Sequence, residues 1–296
     1  MPVYNHNVED LVRLLCNQAG KLSCKVEIIL LDDGSFPQYR QQYKLLETLP
    51  SIAIKYNEDN KGRQSSRKAL AEVAEYDYLL FLDCDSRIIR NNFLEVYAGC
   101  TAAAESSVFS GGRVYQKEKP LDCSKVLHWK YGTERESFFS GMQVKDTLMF
   151  HSNNFLIRKE IFLKLPYLDG IKAYGHEDTF WGIVMHETGV KIQVIDNPVL
   201  HDDVESAGNF IEKSREALYN LNVLSKSIHH DVLKKHVRLF RVYKMINDYR
   251  LTGFVLFSGF LFEKIILANL RSCNPSLILF DLYRLSHFIQ IQKRNR

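Results

Sequence analysis

Asp83 and Asp85 close an apolar run in "FLDCDSRIIR" (81–90), with one residue between them. Residues i and i+2 of an extended chain point the same way, so both carboxylates face one spot at a strand tip. Two like charges that close repel unless something positive sits between them. A hard divalent cation such as Mg2+ or Mn2+ fills that role, because it prefers oxygen ligands and shares them with phosphate. Asp is also common in turns and helix caps, and this stretch alone leaves both readings open.

Such carboxylates need a scaffold. "VEIILLDDGS" (26–35), "SIAIKYNEDN" (51–60) and "YDYLLFLDCD" (76–85) each read as a short apolar strand ending in turn residues. Helical spacing appears between them, in "NVEDLVRLLCNQAG" (7–20) and "GRQSSRKALAEVAEYD" (62–77). Strands alternating with helices predict an α/β fold with a largely parallel sheet covered on both faces. Ligands of such sheets bind beyond the carboxyl ends of the strands. The three tips carry Asp32 and Asp33, Glu58 and Asp59, and Asp83 and Asp85, which points to a metal or nucleotide site on one edge. Farther on, "SVFSGGRVYQ" (107–116) has strand character with a Gly-Gly break, and "NNFLIRKEIFLKLPYLDG" (153–170) reads as strand, short helix and loop. A helix starts at Glu177 or Asp178 and ends near Gly189, a strand and His201 follow, and residues 206–290 are helical throughout.

The 296 residues carry a net charge of +4, with 46% hydrophobic and 25% charged residues, which suits one large domain or a domain with an appendage. From residue 211 onward 15 Lys and Arg face 6 Asp and Glu, a surplus of +9, while the preceding residues carry −5. A basic tail on an acidic body suits an anionic surface, such as phospholipid or nucleic acid; a solvated helical face explains the same surplus. Cys16, Cys24, Cys84, Cys100, Cys123 and Cys273 form no C-x-x-C pair, and they read as mostly reduced thiols in a cytosol-facing protein. "MPVYNHNVED" has neither region of a signal peptide. The nearest approach to a membrane span, "LTGFVLFSGFLFEKIILANL" (251–270), is interrupted by Glu263 and Lys264.

"MPVYN", "EIILLDDGS", "NEDNKGRQSSRKAL", "FLDCD", "NNFLIRKEIF" and "GHEDTFWG" stand in one order. In that order the sequence resembles the family 2 glycosyltransferases of GT-A fold over about residues 1–205. The resemblance implies a Rossmann-like, mixed but mainly parallel sheet flanked by helices, with residues 206–296 as a helical extension. It implies an inverting transfer of a sugar from a nucleotide-diphosphate donor, a UDP-sugar foremost, aided by Mn2+ or Mg2+. The acceptor it implies is a glycan or lipid-linked hydroxyl, in bacterial cell-surface glycan assembly, with no nucleic-acid partner. The setting it implies is cytoplasmic, with peripheral contact at the inner face of the membrane as one option.

The resemblance assigns roles by motif. Asp83 and Asp85 match its D-x-D as metal-diphosphate carboxylates, with Asp85 the direct ligand and His201 a third ligand. A lone His is also commonly structural. "VYN" and "DDGS" match the nucleoside-binding edges, with Pro2, Tyr4, Asp32 and Asp33. Arg63 and Arg67 lie four apart on one helix face and reach for base or diphosphate, although a solvated face suits Arg67 equally. Asp178 is the expected general base, with Glu177 positioning the acceptor; an acidic helix N-terminus is the plain alternative. Trp129, Tyr131 and Trp181 either stack on sugars or fill the core. The family's first strand usually precedes "PVYN", so here that strand is very short or the true start lies upstream of Met1. Lys68 stands where relatives often carry Asn.

Two rivals remain. Haloacid dehalogenase-type phosphatases also use D-x-D, but near the N-terminus and with Thr or Val two residues on, where this chain has Arg87. A catalytically inactive sugar-nucleotide binder or scaffold of the same fold is the other. In the tail, "KKHVRLFRVYKMINDYR" (234–250) reads as a basic helix leading into the apolar stretch 251–262, too short to span a bilayer of about 30 Å. It suits either an anionic membrane surface or packing on the catalytic domain or a second subunit.

Overall fold

A computed structural model of the chain describes residues 1–103, 106–137, 150–167 and 175–294. The end of the 153–170 stretch, from 168 on, and Ala173 and Tyr174 lie outside the described residues. The first half runs β1 (Pro2–Val3), α1 (Glu9–Ala19), β2 (Ile28–Asp33), α2 (Pro37–Leu46), β3 (Ile52–Asn57), α3 (Arg63–Val73), β4 (Tyr78–Leu82) and β5 (Ser86–Ile88). Then come α4 (Phe93–Ala103), β6 (Val108–Ser110), β7 (Arg113–Val114), α5 (Val126–Tyr131), β8 (Asn154–Arg158) and α6 (Lys159–Lys164). The remainder is α7 (Glu177–Glu187), β9 (Ile192–Val194), β10 (Val199–His201), α8 (Ala207–Ser227), α9 (His230–His236), α10 (Arg238–Asp248), α11 (Thr252–Leu270) and α12 (Leu277–Arg294).

The fold is mixed α/β. Strands β1, β2 and β3 pair in parallel. β8 is antiparallel to both β4 and β6, and β9 runs parallel to β6. Apolar composition does not encode strand direction, so the reversal at β8 was invisible in the sequence. A small third sheet sets β10 between β5, antiparallel, and β7, parallel. Its register puts His201 opposite Ser86, next to the D-x-D. β1 has two residues.

Helical spacing works as expected in α1, which buries Leu11, Val12, Leu15 and Gln18 and ends at Gly20. The loop after β2 needs Gly34. It sits at φ +83°, and a Cβ there would come within 2.8 Å of the Asn60 nitrogen.

The helical tail does not stand apart. Leu218, Leu221, Leu224, Leu233, Phe240, Tyr243, Leu285 and Phe288 share one buried cluster with Phe81, Phe155, Phe162 and Trp181. The 234–250 stretch breaks into two helices at Val237, where φ −115° and ψ 103° are extended. α11 runs beyond the expected end at 262, past Glu263 and Lys264, to 19 residues, and is long and apolar enough by length and composition to cross a membrane. Cys16, Cys24, Cys84 and Cys100 are free, but Cys123 and Cys273 form a disulfide. This corrects the expectation of reduced thiols for that pair, which is 150 residues apart and meets only through tertiary packing.

Candidate active site

One cavity of about 620 Å³ opens at the carboxyl ends of β1, β2 and β4. Pro2, Tyr4, Asp33, Arg63, Asp83, Asp85, Glu177, Asp178 and His201 all line it. Asp32 and Arg67 do not; both are fully buried, and Arg67 lies on α3 between the two motifs that the site needs.

Asp83 is fixed from below. The Arg67 guanidinium donates through Nη2 to Asp83 Oδ1 at 2.7 Å and to the Ser152 carbonyl at 2.9 Å, and through Nη1 to Glu177 Oε1 at 2.9 Å. Arg63 Nη1 stands 3.7 Å from the other Asp83 oxygen. Burial pushes the Asp83 carboxyl up, but the Arg67 and Arg63 charges outweigh it and hold the group below the usual carboxylate range. Arg67 is therefore on neither a solvated face nor the cavity wall.

Asp85 has the opposite balance. Burial, then the charge of Asp83, push its carboxyl up, and His201 offsets this only in part. His201 Nδ1 lies 3.8 Å from Asp85 Oδ2, and among the described residues no Lys or Arg makes an ion pair with Asp85. A half-buried carboxylate that forms no ion pair with Lys or Arg among the described residues, beside an imidazole, fits a divalent cation. Asp85 and His201 are the residues that would hold it, while Asp83 is committed to Arg67 and Arg63. Cys84, between the two acids, is pushed up to about 12 by burial and by Asp85 and Asp83, so it offers no thiolate.

Across the cavity, α7 starts with Glu177 and Asp178. Asp178 Oδ1 accepts the Thr179 amide at 2.8 Å, and Oδ2 lies 3.8 Å from His151 Nδ1. Burial raises this carboxyl, but His151, Arg113 and the Thr179 amide together hold it well below the usual range. Asp178 is ionised at neutral pH. His176, before it, sits in the left-handed region at φ +66°. The preceding Gly175 has φ +105° and no room for a Cβ, which would meet Ala217 of α8 at 2.6 Å. Asn220 of α8 donates to the Gly175 carbonyl at 3.0 Å. The helical tail thus positions the turn that presents the second acidic pair.

The remaining expected residues divide. Asp33 accepts from the Lys61 and Gly62 amides at 3.0 and 2.8 Å, and from Asn57 Nδ2 at 2.8 Å, so it shapes the 57–62 loop while lining the cavity. Asp32 accepts the Ser35 amide at 3.0 Å and Arg40 Nε at 2.7 Å, a turn and an ion pair behind the site. Glu58 and Asp59 are exposed and line no part of it. Tyr131 lines the cavity; Trp181 is buried against Phe162, and Trp129 donates to the Gln116 carbonyl outside it. Lys68 stacks over Tyr167, 5.0 Å from the ring centroid.

Sequence reasoning missed His151, Arg113, Glu136 and His128, all of which line the cavity. Glu136 accepts from Tyr115 Oη at 2.5 Å and lies 3.6 Å from Arg113. His128 accepts the Glu205 amide at Nδ1, 3.0 Å, and burial pushes it down to about 4, so it is neutral. No motif marks these four. The β4–β8 pairing, continued by the Asp83 amide on the Asn153 carbonyl at 2.9 Å, is what brings the 151–153 segment to the D-x-D.

The profile of glycosyl transferase family 2 matches residues 1–165, more than half of the chain, and the chain belongs to that family. No curated relative matches it. Among solved structures, the mannosyltransferase PcManGT of Pyrobaculum calidifontis, in complex with GDP-Man and Mn2+, superposes with TM-score 0.53 at 15% identity. The match covers 73% of this chain and 60% of that one. Mannosyl-3-phosphoglycerate synthase of Rubrobacter xylanophilus gives 0.52 at 14% identity, over 78% of this chain and 73% of that one. S. aureus TarS 1–349 with UDP-GlcNAc gives 0.50 at 15%, over 100% of this chain and 90% of that one. These likenesses establish the fold as that of GT-A glycosyltransferases.

Proposed function

We propose that the protein is an inverting glycosyltransferase that moves a sugar from a nucleotide-diphosphate donor, a UDP-sugar foremost, to a glycan or lipid-linked acceptor hydroxyl. The observation that carries this is the opposition of two acidic pairs, Asp83/Asp85 and Glu177/Asp178, across one cavity and joined beneath it by Arg67. The sugar nucleotides held by the structural neighbours, GDP-Man and UDP-GlcNAc, support the donor class.

In this reading Pro2, Tyr4 and Asp33 border the nucleoside, and Arg63 faces the diphosphate. Asp178, ionised and at the cavity wall, takes the proton of the acceptor hydroxyl as its oxygen attacks the anomeric carbon. The carbon–oxygen bond to the diphosphate breaks on the opposite face, its electron pair leaves with the nucleotide, and the configuration inverts. Glu177, held by Arg67, orients the acceptor. Asp85 and His201 would hold a divalent cation, Mn2+ or Mg2+, which would supply charge stabilisation for the departing diphosphate. The setting we favour is bacterial cell-surface glycan assembly at the cytosolic face of the membrane.

A thermal-shift screen of nucleotide diphosphates and sugar nucleotides with Mn2+ tests the donor site, since a bound donor raises apparent stability by mass action. Donor hydrolysis with and without Mn2+ then separates an enzyme from a scaffold. Binding without any turnover of the bound donor, alone or with candidate acceptors, favours the scaffold.

A further inference from the structure

Helix α11 has two unlike faces. Its inner face buries Val255, Gly259, Ile266 and Leu270. At Gly259 a Cβ would come within 2.2 Å of Ser286 Oγ on α12, so the two helices touch closely there. Its outer face carries Phe254, Phe257, Phe260, Leu261 and Ile265, exposed by 71, 64, 79, 56 and 65%. These side chains present on the order of 600 Å² of apolar surface, at or above the largest patch of an ordinary monomer.

Charge follows the same division. The helix has one acid and one base, side by side. Glu263 turns inward, 3.9 Å from Arg215 and 3.7 Å from His287. Lys264 turns outward among the exposed apolar residues. Arg250 and Arg271, just beyond the two ends, are exposed as well. Among the described residues none of these three cations has an ion-pair partner, and no carboxylate of α11 faces outward.

We propose that this face seats in the headgroup–acyl boundary of an anionic lipid bilayer, with α11 lying in the membrane plane. The helix is apolar all round, but the protein covers its inner face; the uncovered apolar face, edged by unpaired cations, inserts shallowly while attracting anionic headgroups. Lys264 fits it, because its stem lies on apolar surface while its ammonium reaches headgroups. The same lysine opposes a second copy as the occupant, since the cores of protein interfaces are depleted of Lys. Spanning is opposed by the inner face: Val255 belongs to one buried cluster and Ile266 and Leu270 to another, and the Cys123–Cys273 disulfide ties the chain three residues past the helix. Crossing the bilayer would open both clusters. This placement does not rest on the reaction proposed above, and its test involves no sugar nucleotide.

Full-length protein is mixed with phosphatidylcholine vesicles and with vesicles that also contain phosphatidylglycerol, and is then sedimented. It should sediment with the anionic vesicles, less so at high salt, and be released by carbonate. The Arg250→Gln/Lys264→Gln/Arg271→Gln variant should bind those vesicles on the order of 10²-fold more weakly. The Phe254→Ser/Phe257→Ser/Phe260→Ser variant should fail to sediment while keeping the wild-type circular dichroism. If that variant does not fold, Phe257→Trp reports against the background of Trp129 and Trp181 in wild type: the added emission should shift to the blue on anionic vesicles and be quenched by lipids brominated near the headgroup. Absence of sedimentation at low salt, an unmoved Trp emission, or resistance to carbonate each overturns the proposal. So does a wild-type dimer that ignores vesicles and dissociates in the serine variant.

Discussion

Arg67 Nη1 and Glu177 Oε1 meet at 2.9 Å across 110 residues of sequence, with the Arg67 side chain only 1% exposed. The other guanidinium nitrogen holds Asp83, so one buried cation sets the spacing between the two acidic motifs.

Removing that cation leaves two carboxylates facing each other in a desolvated place. Arg67→Met should cost about 3–5 kcal/mol, the range for breaking a buried pair. Arg67→Lys keeps the charge but not the planar fork, so it should recover part of the stability and little of the donor affinity. Denaturant midpoints and donor titrations check both. A midpoint for Arg67→Met equal to wild type would remove this role.

The two aspartates of the D-x-D should respond with opposite signs. Without metal, Asp85→Asn relieves repulsion from Asp83 and should hold or raise the melting temperature, whereas Asp83→Asn leaves Arg67 short of a partner and should lower it. With Mn2+, Asp85→Asn should lose most divalent-dependent donor binding in isothermal titration. Unchanged affinity would take Asp85 out of the metal site.

Asp178→Asn should bind donor nearly as wild type and lose roughly 10²–10⁴ in transfer rate, the usual weight of a general base. Because Asp178 ionises well below the ordinary carboxylate range, its protonation should not limit the rate in mildly acidic solution. His151→Asn removes one of the groups that lower it and should move the acid limb of the pH–rate profile upward. Superimposable acid limbs would show that His151 does not act through Asp178.

His176 adds a stability term with a defined pH window. Burial pushes the folded imidazole down from 6.5 to about 4. Between those values the unfolded chain binds the extra proton, so stability falls as pH drops from 6.5 towards 4 and is fully present above 6.5. Asn tolerates positive φ and does not titrate, so His176→Asn should flatten the melting curve through this window. An unchanged pH slope would count against it.

The strands that carry acids at their tips, and the acidic start of α7, were legible because turn residues and apolar runs are local signals. Arg67 carried a signal that went unread: Ser66, Leu70 and Ala71 share its buried helical stripe, which places it inward. His151 carried none, because its place in the cavity beside the D-x-D depends on antiparallel pairing between segments about 75 residues apart. The Cys123–Cys273 pair was hidden because its 150-residue separation is closed only by helix packing. Helix α11 was read too short because its two charges looked like a stop, whereas each simply belongs to a different face.

The turn at Gly175 leans on α8, and Lys213, Ala217 and Arg284 of α8 and α12 help to wall the cavity. The family profile ends at residue 165, before the second acidic pair and before both helices. The match to the family model therefore stops short of the wall that α7, α8 and α12 build. In the reading proposed above this wall meets the acceptor, so exchange of the segment after 175 between relatives is expected to carry acceptor choice with it. Such a graft would succeed only where the incoming carboxylate at position 177 still finds Arg67 waiting.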